Sequence, residues 1–166
     1  MSITACSIDA PVYQADVGSH PADGAVIARA LSILQRRMST AVILNNPQVV
    51  KDFLQLQASK NPGHEVFGVL FLDAQHRMIE FVEMFRGTLT QTSVYPREVV
   101  KEALRLNAAA VILTHNHPSG CLEPSRADEL LTQTLKSALM LIDVKVLDHI
   151  ITSNAGTLSM AERGLI

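Results

Sequence analysis

The spacing of apolar residues predicts two helices in the first third of the chain. Over residues 21–38 the apolar positions Ile27, Leu31 and Leu34 recur every three or four residues, as on one face of a helix. A second helix is predicted to begin after Asn46, whose side chain can cap it, with Pro47 at its first position. The buried face of this second helix is predicted to be Val50, Phe53, Leu54 and Gln57. Residues 61–63, Asn-Pro-Gly, end it.

The middle of the chain has the pattern of β-strands. Residues 65–72 are almost continuously apolar, and a second strand is predicted over residues 77–85, after a connection short enough for a hairpin. A third short strand is predicted over residues 88–92. Pro96 then starts a helix that Asn107 can close. The apolar side of that helix is predicted to be Val99, Val100, Ala103, Leu104 and Leu106.

The last third alternates between strand and helix. Strands are predicted over residues 108–114, 144–152 and 157–159, and a helix over residues 125–141. That helix is predicted to pack through Leu130, Leu131, Leu135, Ala138 and Leu139. Together these elements predict an α/β fold of the α+β kind, in which helices flank a mixed sheet. We expect residues 1–45 to form an amino-terminal extension with one helix, and residues 46–166 to form the main domain.

One short stretch, from His115 to Asp128, contains the side chains of a metal site; its sequence is H-N-H-P-S-G-C-L-E-P-S-R-A-D. Histidines at i and i+2 leave the end of a strand on the same face. Pro124 indicates that a helix begins there with Ser125 as its N-cap, so Asp128 lies in the first turn and can face the imidazoles. His115, His117 and Asp128, with water as the fourth ligand, would form an open tetrahedral site for one zinc per chain.

Each part of this stretch also has an ordinary structural interpretation. Ser125-x-x-Asp128 is an acceptable capping box, which many helices have without any metal. Two histidines in phase and an aspartate at a fixed offset favour the metal site nevertheless. We interpret Cys121 as a residue of the loop, because three ligands are present without it. His149, in a predicted strand, is either a partner of a metal ligand or a hydrogen-bonded core residue.

The pattern H-x-H, seven residues, S-x-x-D resembles the JAMM motif of the JAB/MPN metalloproteases, and other segments resemble their RadC-like branch. Those segments are LTHNHPSG at 113–120, PS at 124–125, FRGT at 85–88, PRE at 96–98, LDH at 147–149 and AERG at 161–164. The resemblance covers about residues 46 to 166. It implies a JAB/MPN architecture, related to that of cytidine deaminases, and a zinc-dependent peptidase or isopeptidase in which His115, His117 and Asp128 hold the metal.

The resemblance also implies a glutamate general base upstream of the histidines. Glu65 is our choice, because its setting, Glu-Val-Phe-Gly before an apolar strand, is similar to that of the base in JAB/MPN relatives; Glu83 is the alternative. Such a base takes a proton from water and later protonates the leaving amine, without which an amide nitrogen leaves badly. Ser125 is implied to donate to the developing oxyanion.

Composition and charge restrict the classes of function. The chain has 166 residues, of which 48% are hydrophobic, enough for one compact unit with its own core. Its net charge of −2 gives no bias toward nucleic acid. The resemblance implies a protein or peptide substrate. Cys6 and Cys121 form no C-x-x-C pair, which fits a reducing cytoplasm. No apolar run approaches the roughly 18 residues of a membrane helix, and we expect no membrane partner.

Two other functions stay open. One is a binding module that keeps the fold but has no turnover. The other is a nucleic-acid role, because RadC carries an association with DNA repair; its longer relatives have an amino-terminal helix-hairpin-helix region, which residues 1–45 do not resemble. A zinc nucleobase deaminase is disfavoured, because its H-x-E and P-C-x-x-C signature is missing. The oligomeric state is not predicted.

Overall fold

A mixed five-stranded sheet organises the protein. The structure, a computed structural model, describes residues 21–40, 46–60, 63–87 and 93–166. Within them the elements are, in chain order, α1 (Pro21–Thr40), α2 (Pro47–Ala58), β1 (Val66–Leu72), β2 (Met78–Arg86), α3 (Pro96–Arg105), β3 (Ala110–Asn116), α4 (Arg126–Met140), β4 (Lys145–Ser153) and β5 (Gly156–Ser159). The strand order is β2-β1-β3-β4-β5. Only the β3–β4 pair among these is parallel. The α+β fold predicted from the sequence is confirmed.

Helices cover both faces of the sheet and bury its central strands. All seven residues of β3 are buried, as expected for a strand enclosed on both sides. On one face Leu70 and Ile112 pack in a core with residues of α1 and α2. On the other face Val69 and Leu113 pack in a core with residues of α3 and α4. We call these the α2 face and the α4 face. The side to which a residue of β3 points therefore decides which helices it meets.

Several local predictions are confirmed. Helix α2 begins at Pro47, the Asn46 side chain accepts from the Val49 N–H, and the predicted residues of its face are buried. Strands β1 and β2 pair in an antiparallel hairpin. The turn between them is held by Asp73, whose carboxylate accepts from the N–H groups of Gln75 and Arg77. Among the helices that the structure describes, none combines the length and the apolar character needed to cross a membrane.

Three predictions require correction or comment. Leu130 of α4 and Leu104 of α3 are 70% and 60% exposed, so their predicted packing is wrong. On α4 the inward position belongs to Thr132, and a residue two positions earlier points to the opposite side of a helix. Strand β3 lies two residues later than predicted, so that His115 is within it. The strand predicted over residues 88–92 lies outside the described residues.

Candidate metal centre

The centre lies where β3 ends and α4 begins. His115 is the second-last residue of β3, opposite Phe67 on β1 and Ile151 on β4, and only 2% of it is exposed. His117 follows the strand directly. The chain then turns at Gly120, whose φ of +86° lies in the left-handed region that favours glycine. This turn brings the first residues of α4 back to the histidines.

The three predicted ligands converge. The Nε2 atoms of His115 and His117 are 2.8 Å apart. Asp128 brings Oδ1 to 3.3 Å from the Nε2 of His115 and Oδ2 to 3.8 Å from the Nε2 of His117. One candidate ligand atom from each of the three residues lies within 4.8 Å of the other two. A tetrahedral ion with bonds of roughly 2.0–2.1 Å keeps its ligand atoms about 3.3–3.4 Å apart, which falls between the shortest and the longest of these separations. The three side chains could therefore hold one metal ion, and two imidazole nitrogens with a carboxylate oxygen are ligands that zinc accepts.

The hydrogen bonds of His117 direct a lone pair to the same point. Its Nδ1 lies 2.7 Å from the carbonyl oxygen of Cys121. A carbonyl only accepts, so Nδ1 carries the proton and, in the neutral ring, Nε2 carries a lone pair. Burial lowers the pKa of His115 to about 4, so the His115 ring is neutral at pH 7. Two imidazoles and a carboxylate around one point are an arrangement suited to a divalent cation.

Ser125 holds the third ligand through the predicted capping box. Its N–H and its Oγ–H both donate to Oδ2 of Asp128, at 2.7 and 2.6 Å, and the N–H of Asp128 donates to Oγ at 3.2 Å. Oδ2 is thus occupied, while Oδ1 faces His115. The capping role and the metal-binding role are compatible, because each uses a different oxygen of the same carboxylate.

All five predicted site residues line one cavity. Its volume is about 560 Å³, and Glu65, His115, His117, Ser125 and Asp128 all form part of its wall. The alternative base, Glu83, does not line this cavity. It lines a much smaller one on the α2 face, together with Gln57 and Thr114. The arrangement therefore favours Glu65 over Glu83 as the group that could exchange protons at the centre.

Comparison with known proteins identifies the family of this chain. Residues 44–165 match the family model described as a RadC-like JAB domain. The chain belongs to the RadC-like JAB family. It is 59% identical over 153 residues to a UPF0758 protein of Methylibium petroleiphilum, covering 90% of this chain and 68% of that protein. A UPF0758 protein of Aromatoleum aromaticum is 60% identical over 143 residues, with 86% and 63% covered. The chain thus spans about two thirds of the length of these curated relatives.

Asn116, between the two histidines, has a role in this RadC-like domain that the sequence analysis missed. Its Nδ2 donates to the carbonyl of His64 at 2.8 Å, and its Oδ1 accepts from the N–H of Val66 at 2.7 Å. The carbonyl of Glu65 accepts from the N–H of Gly87 at 2.8 Å. The backbone is therefore fixed on both sides of Glu65. Strand alternation was the available signal, since the residue between two in-phase histidines must point to the opposite face.

His149 of the domain contacts a predicted ligand and is also a core residue. Its Nε2 lies 2.8 Å from Nδ1 of His115, and its Nδ1 lies 2.6 Å from Oγ1 of Thr132. Burial lowers the pKa of His149 well below its usual value. The neighbouring Asp148 points away and accepts from Ser159 Oγ–H. The His149 side chain thus contacts a predicted ligand and is also a hydrogen-bonded core residue, the two interpretations that the sequence left open.

Proposed function

We propose that this chain is a zinc-dependent hydrolase of peptide or isopeptide bonds. His115, His117 and Asp128 hold one zinc per chain, and Glu65 is the general base. The observation that carries the proposal is the convergence of two imidazole Nε2 atoms and a carboxylate, with contacts from 2.8 to 3.8 Å, at the wall of an open cavity. Three protein ligands beside accessible space are typical of catalytic rather than structural zinc sites.

The chemistry follows from the groups around the cavity. Bound zinc would supply a Lewis acid that lowers the pKa of its water toward about 7. Glu65 accepts the proton of the attacking water and gives it to the leaving amine nitrogen. The two hydrogen bonds from Asn116 to the backbone of His64 and Val66 limit how far Glu65 can move away from the reacting atoms.

Ser125 has a second role besides holding Asp128. In the described arrangement its Oγ–H donates to Oδ2 of Asp128, which the Ser125 N–H also contacts. The hydroxyl can therefore turn toward a substrate oxygen while the N–H keeps the carboxylate in place. A donor of this kind is worth about 2.7–4 kcal/mol to an oxyanion in the transition state.

The cavity wall favours an amide over a nucleic-acid substrate. Phe67, Val94 and Leu131 contribute apolar surface, and Glu65 and Glu123 contribute carboxyl groups. Among the described residues that line the cavity there is no lysine or arginine. Phosphate backbones are bound mainly through those two residue types. A neutral peptide or isopeptide bond is the better match, and the DNA-repair association gains no support from this surface.

The first experiment is metal analysis of the purified protein beside Asp128→Ala. We expect one zinc per chain in the parent and almost none in the variant, whose remaining two ligands hold zinc poorly. A parent protein that binds no zinc when it is supplied in solution would overturn the proposal.

The second experiment separates metal binding from catalysis. Zinc-loaded parent, Glu65→Gln and the matched control Glu83→Gln are assayed on a panel of fluorogenic peptides and isopeptides. We expect Glu65→Gln to keep its zinc and lose about 10²–10⁴-fold in rate, while Glu83→Gln stays near the parent. Normal turnover in Glu65→Gln would place the base elsewhere. A panel left uncleaved by the zinc-loaded parent would favour a non-catalytic binding module.

A further inference from the structure

A chain of short hydrogen bonds runs behind His115, away from the cavity. It passes from Nδ1 of His115 to Nε2 of His149 at 2.8 Å, and from Nδ1 of His149 to Oγ1 of Thr132 at 2.6 Å. It ends where the Thr132 hydroxyl donates to the backbone carbonyl of Asp128 at 2.6 Å. This series of hydrogen bonds therefore joins two of the predicted ligands through residues that do not face the cavity.

The direction of these bonds is decided at Thr132. The carbonyl oxygen of Asp128 only accepts, so at 2.6 Å the hydroxyl must give it the proton. The other acceptor near this hydroxyl, the sulfur of Met160, is 3.9 Å away and weak. With its proton committed, Oγ1 of Thr132 accepts from His149 Nδ1–H. In a neutral ring, Nε2 of His149 then accepts from His115 Nδ1–H.

Burial prevents water from replacing Thr132 or His149 in this series of hydrogen bonds. Thr132 and His149 are both 0% exposed. The His149 ring packs edge-on against Phe67, with ring centroids 5.8 Å apart. Enclosure by protein atoms therefore holds the orientation of the His149 ring and, with it, its two hydrogen-bond partners.

We propose that Thr132 and His149 are positioning residues that fix the tautomer of His115, so that its proton lies on Nδ1 and the lone pair of Nε2 faces the metal. The inference rests on the metal site of the proposed function but not on catalysis. Outer partners of metal-bound histidines are usually carboxylates, carbonyls or water. Here the partner is a second imidazole, whose own orientation depends on a threonine of the same helix that supplies Asp128.

The decisive comparison is Thr132→Val against Thr134→Val. Both threonines lie on α4 and donate to a carbonyl four residues earlier, but Thr134 is exposed and contacts no histidine. Affinity for Zn²⁺ and Co²⁺ is measured by competition with a chromophoric chelator. We expect Thr132→Val to lose about 10–100-fold and Thr134→Val to match the parent. Equal affinity in all three proteins would overturn the proposal.

A second pair of variants tests the imidazole itself. His149→Leu removes the acceptor for His115 Nδ1–H, whereas the amide of His149→Gln can accept from His115 and donate to Thr132. We expect Co²⁺ affinity and the Co²⁺ absorption spectrum to be changed in His149→Leu and to return toward the parent in His149→Gln. A glutamine variant that binds as poorly as the leucine variant contradicts a role through hydrogen bonding.

A measurement on the metal-free parent needs no variant at all. Long-range ¹H–¹⁵N NMR of the histidine rings assigns the proton on each one. We expect Nδ1–H for both His115 and His149; a proton on Nε2 of either ring would overturn the inference even if the variants failed to fold. If the parent binds neither Zn²⁺ nor Co²⁺, the proposed metal site fails, while the NMR result still decides the hydrogen-bond chain.

Discussion

Two neighbouring residues of β3 show how differently the two faces of the sheet use buried polar groups. His115 and Asn116 are 2% and 7% exposed and point to opposite faces. On the α2 face, the donor and the acceptor of the Asn116 amide are both satisfied by backbone. On the α4 face, one nitrogen of His115 is bonded to His149, and the other meets His117 and Asp128, which also present acceptors.

The difference lies in hydrogen-bond balance and not in burial. Buried polar groups in proteins are almost always paired. For Asn116, on the α2 face, the pairing is complete within the chain, so this polar group fixes the fold. On the α4 face the Nε2 atoms of His115 and His117 and the Asp128 carboxylate meet at one point, where a metal ion could balance them. A structural polar site and a binding site can thus occupy adjacent residues of one strand.

The largest effect should be on zinc content, when His115 and Asn116 are each replaced by alanine. We expect His115→Ala to reduce zinc from one per chain to almost none, because two ligands remain. Asn116→Ala should keep one zinc per chain, because its side chain points to the other face. Metal analysis of both purified variants makes the comparison. Loss of zinc in Asn116→Ala would show that the two faces are not independent.

A pH titration sharpens the comparison in the metal-free protein. Burial lowers the pKa of His115 to about 4 and that of His149 in the same direction, from about 6.5 in the unfolded chain. Between these values the unfolded state binds more protons, so the free energy of unfolding falls as the pH falls. The slope is up to about 1.4 kcal/mol per pH unit for each ring.

This titration is measured as urea midpoints at pH 7, 6 and 5 with a chelator present. His149→Gln, which removes one of the buried titrating rings, should show a smaller slope and serves as the control. Midpoints of the parent that do not change over this range would mean that the rings are already protonated in the folded state or reached by water.

Asn116 offers a smaller, purely structural effect. Its replacement by alanine leaves the Val66 N–H and the His64 carbonyl without their partner, which costs about 1–3 kcal/mol. Asn116→Asp keeps the acceptor for Val66 but sets a carboxylate oxygen against the His64 carbonyl in a buried place, so it should lose at least as much. We also expect hydrolysis to fall in Asn116→Ala, because Glu65 is no longer fixed on both sides. Urea unfolding measures the stability, and a rate assay on zinc-loaded proteins measures the hydrolysis. An unchanged free energy of unfolding would contradict the role of Asn116 in holding the backbone around Glu65.

Much of the fold could be predicted because its signals are local. The cap and buried face of α2 and the hairpin of β1 and β2 follow from residues close in sequence. The three predicted ligands belong to one 14-residue stretch, where strand alternation and helix capping suffice to bring them together. Glu65 is harder, because it reaches the site only through strand pairing, which brings Phe67 opposite His115.

The errors have a physical cause in the site itself. The pattern of apolar residues predicts Leu130 on the inward face of α4, although it is exposed. The inward position belongs instead to Thr132, a polar residue whose burial is explained by its bonds to His149 and to the Asp128 carbonyl. Apolar patterning cannot anticipate a polar residue that is buried because of its hydrogen bonds, and Asn116 was overlooked for the same reason.

The smallest predicted effect compares two helix caps, one on each face. Ser125→Ala and Asn46→Ala each remove a side-chain cap, of α4 and α2 respectively, at a cost of about 1 kcal/mol. The Asn46 bond is long, 3.4 Å, so its loss should cost less. Only Ser125→Ala should also weaken zinc binding, because Oδ2 of Asp128 keeps the Ser125 N–H but loses the hydroxyl. Urea unfolding with chelator gives the stabilities and chelator competition the affinities. Equal zinc affinity in both variants would mean that the Ser125 N–H alone is enough to orient the carboxylate.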